Sequence, residues 1–414
     1  VIDQLPEHRT LPDDVRLRAR RRLSEGMNPA ARTARPLLIA AGVSVLAAGA
    51  VFTGQALYGG NTDVATPPMQ YNGELVGKDR AVVNHVERST VAPDALARCT
   101  AAATTHPPAD QWQPIATSNK NGTVLTAFRG PTGLFFCANT ATTTTISAPN
   151  PVKIEDGRRQ VKILFTTPSG TLAGLVSPDV KFLSLSRIAE PGQNNTMPAL
   201  VDGLFLAPSG YTKAETGTKA LVNGEESAVR GVAGPTPSVV DRPLPPADRA
   251  TPEAQRFASS CLADRAIPDP DQFVFGVRAK VSATSTILLG RFNDLMVYCL
   301  DDGGPLRGWV YDLRDTDGME IVNGTTVGSV RAFYDFVPLE GGGSGSTGTA
   351  AVGVIFDPRV ASITYTAPGS ADVPAVLGNG TFVLAMPPGE PNPERRVVVR
   401  DAQGVVLETI TPTR

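Results

Sequence analysis

The chain has 414 residues, 41% of them apolar and 19% charged, which is enough for two or three domains with proper cores and excludes a disordered polypeptide. A net charge of −2 supplies no global field for nucleic acid, and no nucleic-acid partner is expected. Forty glycines and 36 prolines against 6% aromatics point to turn-rich β structure with long connectors.

The charge is unevenly spread: residues 1–35 hold eight arginines against five acids, a net of +3, which leaves about −5 for the remainder. Within them, TLPDDVRLRARRRLSEGM carries the signals of a helix. Thr10 can cap it, Pro12 suits its first turn, Asp13 and Asp14 favour the positive end of the helix dipole, and Gly26 is a stop. Val15, Ala19 and Leu23 share one face. Arg16, Arg18, Arg20, Arg21 and Arg22 cover much of the rest, and such a surface either lies on anionic lipid headgroups or docks a cytosolic partner.

Residues 36–58, PLLIAAGVSVLAAGAVFTGQALY, contain no charge. A bilayer core needs roughly 20 apolar residues at 1.5 Å rise each. Arginines crowd the stretch before it, and no basic residue follows until Lys78, so the positive-inside tendency puts the N-terminus in the cytosol and the bulk of the chain outside. The favoured expectation is a retained single-pass transmembrane helix in the cell membrane; a cleaved signal peptide and a buried soluble helix are the alternatives. Residues 59–90 then read as a polar linker.

The four cysteines form two pairs with the same spacing, Cys99 with Cys137 and Cys261 with Cys299, and the second pair is offset from the first by 162 residues. The surrounding sequence repeats with them. TVLTAFRGPTGLFFCAN at 123–139 answers STILLGRFNDLMVYCLD at 285–301, and Asp110-Gln111-Trp112 answers Asp271-Gln272-Phe273. Self-similarity of this kind reads as a tandem copy of one fold, 91–228 and 251–414, joined by a proline-rich linker at 229–250. In each copy a helix bears the first cysteine: Thr251-Pro252-Glu253 starts one, and 92–101 is its counterpart. A β-hairpin turning at Gly130–Gly133 or at Asn293-Asp294 bears the second. Disulfides Cys99–Cys137 and Cys261–Cys299 follow, each contributing roughly 4 kcal/mol in the chain-entropy model, and they agree with an oxidising compartment.

Each copy continues into a second β-rich part, in which TLAGLVSPDVKFLSLSR at 171–187 resembles TAAVGVIFDPRVASITYT at 349–366. These short alternating runs read as an antiparallel sandwich or open barrel. The expected fold is therefore α+β and mostly β: a cytosolic helix, one transmembrane helix, then two copies of a disulfide-bridged helix and antiparallel sheet, each followed by a sandwich-like part. GGGSGSTGT at 341–349 reads as a flexible loop inside the second copy.

A search for chemistry finds no G-x-S-x-G elbow, no H-E-x-x-H and no phosphate-binding G-x-x-x-x-G-K-[ST]. The three histidines, His8, His85 and His106, are scattered and no C-x-x-C occurs, which disfavours zinc. Asp312, Asp315 and Asp317 lack the full EF-hand ligand set and read as a solvated turn. Trp112 takes Phe273's place in the repeat and reads as core; Trp309 is the other tryptophan. The sequons at Asn121, Asn194, Asn323 and Asn379 resemble ordinary turn chemistry. No catalytic residue, cofactor or metal is expected.

The N-terminal LPDDVRLRARRRL, the single span, and the pattern G-x-V-x-P-D-V with D-G-x-F-x-A-P resemble actinobacterial single-pass membrane proteins that are often encoded beside extracytoplasmic-function sigma factors. The resemblance implies an anti-sigma or sensor role with a cytosolic regulator such as a sigma factor as partner. The H-x-x-x-C-x-x-C of zinc-containing anti-sigma domains is absent. The expected function is an anchored extracytoplasmic binding or sensing protein that meets an envelope component outside and reports inward. A structural or assembly module of the envelope is the alternative, and a hydrolase would require Ser, His and Asp to converge in one pocket.

Overall fold

The computed structural model describes residues 70–71, 74–75, 86–151, 160–187, 196–209, 218–223, 225–227, 229–231, 234–263, 266–304, 306–314, 319–338, 344–387 and 394–413. The expected basic helix at 1–35 and span at 36–58 lie outside them. Among the described residues no helix is long and apolar enough to cross a membrane. The protein is mostly β, with few helices, two disulfides and several sheets.

The first half opens with strand Val86–Arg88 and helix α1, Pro93–Ala102, whose proline occupies the first turn and whose buried face is Ala95, Arg98 and Cys99. A 3-10 turn at Ala109–Gln111 leads into the antiparallel strands Gln113–Lys120, Thr123–Gly130, Gly133–Asn139 and Thr143–Ile146. Alternation sorts their side chains onto two faces. Phe128, Phe135 and Cys137 pack under α1 with Cys99 and Trp112. Leu125, Ala127, Phe136 and Ala138 point the other way, onto Phe165, Ala173 and Leu206 of a second sheet. That sheet, ordered 199–201, 204–207, 172–176, 161–166 and 229–230, packs its far face on a third, small sheet through Ile163, Phe205, Leu183 and Val222. Four layers result: helix, sheet, sheet, sheet.

The second half runs through the same order. Thr251 caps helix α2, Pro252–Arg256, its hydroxyl accepting from the Ala254 N–H at 3.2 Å, and a π-helical turn at Phe257–Leu262 carries Cys261. A 3-10 turn, Pro270–Gln272, precedes strands Val274–Lys280, Thr286–Phe292, Leu295–Asp301 and Arg307–Asp312. Even the β-bulges correspond: the register slips between Pro114 and Ala116 in one half and between Phe275 and Val277 in the other. Both disulfides join helix to strand, with Cα atoms 6.1 and 5.7 Å apart, and all four sulfurs' residues are fully buried.

The expected second part of each half is present as two packed sheets, and the inner one also covers the disulfide-bearing sheet, because runs such as Leu134–Ala138 are apolar on both faces and the second face needs cover. The loop and the linkers are corrected. The segment 341–349 is not a loop throughout: residues 344–349 belong to the strand Ser344–Ile355, paired with Val327–Pro338. Gly348 permits that pairing, since a Cβ there would lie 2.0 Å from the Tyr334 ring that crosses it, and the Ser346 hydroxyl donates to Tyr334 O at 2.6 Å. The linker 229–250 is also less free than its prolines suggest, because Val229–Arg230 joins the second sheet of the first half and Val239–Val240 joins the first. Val86, buried at the sheet edge, likewise draws the end of the 59–90 linker into the fold.

Candidate functional site

The connector between the halves is fixed at both ends. Strand Val239–Val240 pairs with Thr143 and Thr144, and this delivers Asp241 to helix α1. Arg98 is 9% exposed and donates from Nε and Nη2 to the two oxygens of Asp241, at 2.6 and 2.8 Å. Its remaining N–H groups reach Thr140 O at 2.7 Å and Thr143 O at 3.0 Å. The hydrogen bonds from Arg98 hold the Asp241 carboxyl below the usual carboxylate value, against the opposing effect of burial. One residue along, Arg242 pairs with Asp94 of the same helix. At the other end, the Ala247 N–H donates to Asp271 O at 2.8 Å and Arg249 Nη1 donates to Phe273 O at 2.6 Å.

Among the described residues, two direct contacts lock the halves together. Asp269 sits in the left-handed region at φ 47°, and its carboxylate accepts from Thr140 Oγ1 at 2.6 Å, Thr142 Oγ1 at 2.5 Å and the Ala141 N–H at 2.9 Å. The hairpin turn Asn121-Gly122 forms the second, with φ of 47° and 75°. Asn121 Oδ1 accepts from the Asp312 N–H at 3.2 Å, and Gly122 lies so close that a Cβ there would be 2.7 Å from Leu295 Cδ1.

Between these contacts lies a cleft of about 570 Å³, within the range usual for small-ligand sites. Asp94, Arg98, Gly122 and residues 139–141 form one wall; Asp269, residues 291–295, Arg314 and residues 355–356 form the other, with Arg242 on the connector. Its charges are largely neutralised in place: Arg314 meets Asp312 at 2.6 Å and Asp294 at 3.4 Å. Arg291 makes no ion pair among the described residues and stands beside the Gly380 turn. Such a lining can hold a polar ligand by hydrogen bonds and charge. Its lining has no histidine or cysteine, and its Thr140 hydroxyl is held by Asp269 in the contact between the halves; among the described residues no three His, Cys, Asp or Glu side chains are grouped to hold a metal.

The residues singled out from sequence fall mostly elsewhere. The four cysteines staple the two helices to their sheets. Arg16, Arg18, Arg20, Arg21 and Arg22, along with His8, His85 and Asn194, lie outside the described residues, as do Asp315 and Asp317. His106 packs on Phe135 and Trp112, with Nε2 2.8 Å from Ser147 O. Trp112 is core, its indole N–H donating to Pro107 O at 2.8 Å, while Trp309 stacks on Tyr298 at 4.9 Å. Asn121 and Asn379 both occupy left-handed turn positions. Sequence reasoning missed Arg98, Asp241 and Asp269. Two of them had a signal in departure from the repeat: Asp269 stands where the first copy has Pro108, and Arg98 where the second has Ser260, while Asp241 lies in the connector outside both copies.

Compared with known protein families, with curated proteins and with solved structures, the chain matches none.

Proposed function

We propose that this chain is a single-pass, membrane-anchored extracytoplasmic binding and sensing protein, built from two tandem copies of one stapled unit, that takes an envelope component into the cleft between the copies. The observation that carries the reading is the locked pair of halves around that cleft, each half closed by its own buried disulfide. Such bridges persist in oxidising compartments, and the uncharged stretch 36–58 behind its arginines supplies the anchor. On this reading the basic helix of residues 1–35 reports occupancy to a cytosolic regulator in an anti-sigma-like manner.

The compartment is tested in whole cells. When cells are denatured without reductant in the presence of maleimide, all four cysteines stay unlabelled, and external protease removes the epitopes after residue 58; labelled thiols in the unreduced, denatured sample would sink the reading. The cleft is tested by co-sedimentation of the full chain with isolated cell-wall sacculi. The Arg291→Glu variant is expected to release the protein into the supernatant while the thermal midpoint stays unchanged. Equal sedimentation of variant and parent rules out the cleft. Signalling is tested by deleting residues 1–35, which should alter transcription from the neighbouring genes.

A further inference from the structure

Four arginines line the cleft between the halves, and three of them are engaged within the protein. Arg98 meets Asp241, Arg242 meets Asp94, and Arg314 meets Asp312 and Asp294. The remaining acid of the lining, Asp269, accepts from two threonine hydroxyls and a backbone N–H. Arg291 is the exception: among the described residues its guanidinium has neither an ion pair nor a hydrogen bond. It is half-buried, and a Cβ on Gly380 would lie 3.5 Å from its Cζ and Nη1, so the guanidinium lies against the bare backbone of that turn. The turn is itself pinned, because Gly380 O accepts from the Ile355 N–H at 2.8 Å and Asn379 Nδ2 donates to Phe275 O at 2.9 Å. A planar fork of N–H donors is thus presented with no acceptor among the described residues, and that fork matches the paired oxygens of a carboxylate or a phosphate.

A half-exposed arginine is ordinary on a protein surface, and one alone points nowhere. This one recurs. Aligned by the cysteine offset of 162, residues 123–139 and 285–301 are identical at only two of their seventeen positions. One is the bridging cysteine, Cys137 and Cys299; the other is the arginine, Arg129 and Arg291. The register agrees, since Arg129 stands opposite Leu134 and Arg291 opposite Met296, the same offset apart. Each half also has a left-handed Asx-Gly turn for its arginine, Asp202-Gly203 sharing a groove with Arg129 and Asn379-Gly380 lying against Arg291. The acid of the first turn does not explain Arg129, because Asp202 pairs with Arg88 at 2.6 Å. The core between was rewritten, Phe128 answering Gly290 and Phe135 answering Val297. The disulfide accounts for the kept cysteine. No contact within the described fold accounts for the kept arginine, which points to a ligand.

We infer that Arg291 is an acid-binding residue, and that the ligand of the cleft carries a carboxylate or phosphate group which its guanidinium holds through two parallel hydrogen bonds. This rests on the reading of the cleft as a ligand site. At about 570 Å³ the cleft has room for a molecule with a body and not only for a small ion. Phe292 and Phe356 in the lining offer that body apolar surface beside the acid.

The test is a direct titration of the detergent-solubilised full chain, read by ligand-observed NMR, with short oligomers of matched length. Oligogalacturonate carries carboxylates, oligo(glycerol phosphate) carries phosphodiesters, and a malto-oligosaccharide is neutral. At least one acidic probe is expected to bind, and which one does names the source of the acid; the neutral probe is expected not to. Arg291→Gln should weaken the binding by about tenfold or more, and Arg291→Lys, which keeps the charge but not the fork, by less. Arg278→Gln makes the same charge change at an exposed arginine outside the cleft and should leave binding unchanged. The thermal midpoint should not move in any of the three. Failure of both acidic probes to bind, equal binding of the neutral one, or binding that survives Arg291→Gln would each overturn the acid assignment. Sedimentation with sacculi is a separate readout. Sedimentation that needs Arg291 while neither acidic probe binds would overturn the acid and keep the cleft. Acidic-probe binding lost in Arg291→Gln while sedimentation ignores Arg291 would keep the acid site and remove the sacculus component.

Discussion

Helix α1 of the first half buries an arginine at position 98, while the matching turn of the second half has the half-buried Ser260. The disulfide loops of the two halves have the same sequence separation, 38, and the layers stack in the same order, so the arginine is not required by the fold itself. Its role is to hold the connector. A buried guanidinium must find counter-charge and acceptors; Thr140 O and Thr143 O lie in the first half itself, but Asp241 supplies the counter-charge only when the connector lies along the sheet edge. Among the described residues of the second half no strand joins the 274–312 sheet as Val239–Val240 joins the first, and Ser260 carries no charge. The comparison teaches that the halves share what closes each unit and differ at what joins one unit to another.

The largest effects should fall on the shared features and should be symmetrical. Cys99→Ser with Cys137→Ser, and separately Cys261→Ser with Cys299→Ser, are each expected to cost about 4 kcal/mol, because the closed loops are of equal length. Urea unfolding measures both; a difference of more than about 2 kcal/mol between the pairs would show that the halves are not equivalent in stability. Next come the asymmetric positions. Asp241→Ala leaves Arg98 buried without its counter-charge and should cost about 3 kcal/mol or more, whereas Ser260→Ala should change stability by less than about 0.5 kcal/mol. Comparable losses at the two positions would break the comparison.

Acid sharpens it further. Asp241 is held below its ordinary value of 3.8 by the hydrogen bonds from Arg98. In the second half, burial pushes Glu408 upward, but the Thr326 hydroxyl and the Thr325 and Thr326 N–H groups outweigh it and leave the carboxyl below its ordinary 4.5. A depressed carboxyl stabilises the fold fully above its unfolded value, and that contribution is lost as pH falls through the lower folded one. Stability measured by urea titration should therefore decline below about pH 4.5, and Glu408→Gln should flatten the slope that begins there. An unchanged slope would remove Glu408 from the account. The smallest effect is at the caps. Thr251→Ala should cost about 1 kcal/mol, while Ala92, which makes no side-chain cap, offers the reverse: Ala92→Thr should raise the thermal midpoint slightly.

What could be read from sequence was local or repeated. Thr251-Pro252-Glu253 announces a helix through its own cap, Asn293-Asp294 announces a turn, and the equal cysteine spacings pair themselves. The stacking of the layers was less legible, because a run such as Leu134–Ala138 is apolar on both faces and does not say what covers each. Gly348 looked like part of a flexible tract because the Tyr334 ring that needs its bare backbone lies on another strand. The cleft depended on Asp269 meeting Thr140 and Thr142, partners more than a hundred residues away in sequence, and no local pattern encodes such a meeting.

The donation of Val239–Val240 to the first sheet has a consequence for the newborn polypeptide. Emerging N-terminus first, the leading half stays one strand short, and Arg98 stays without its counter-ion, until residue 241 has been released. Maturation of that half is thereby timed by the arrival of its successor, and a nascent chain stalled before residue 239 should be more protease-sensitive than one stalled just beyond residue 242.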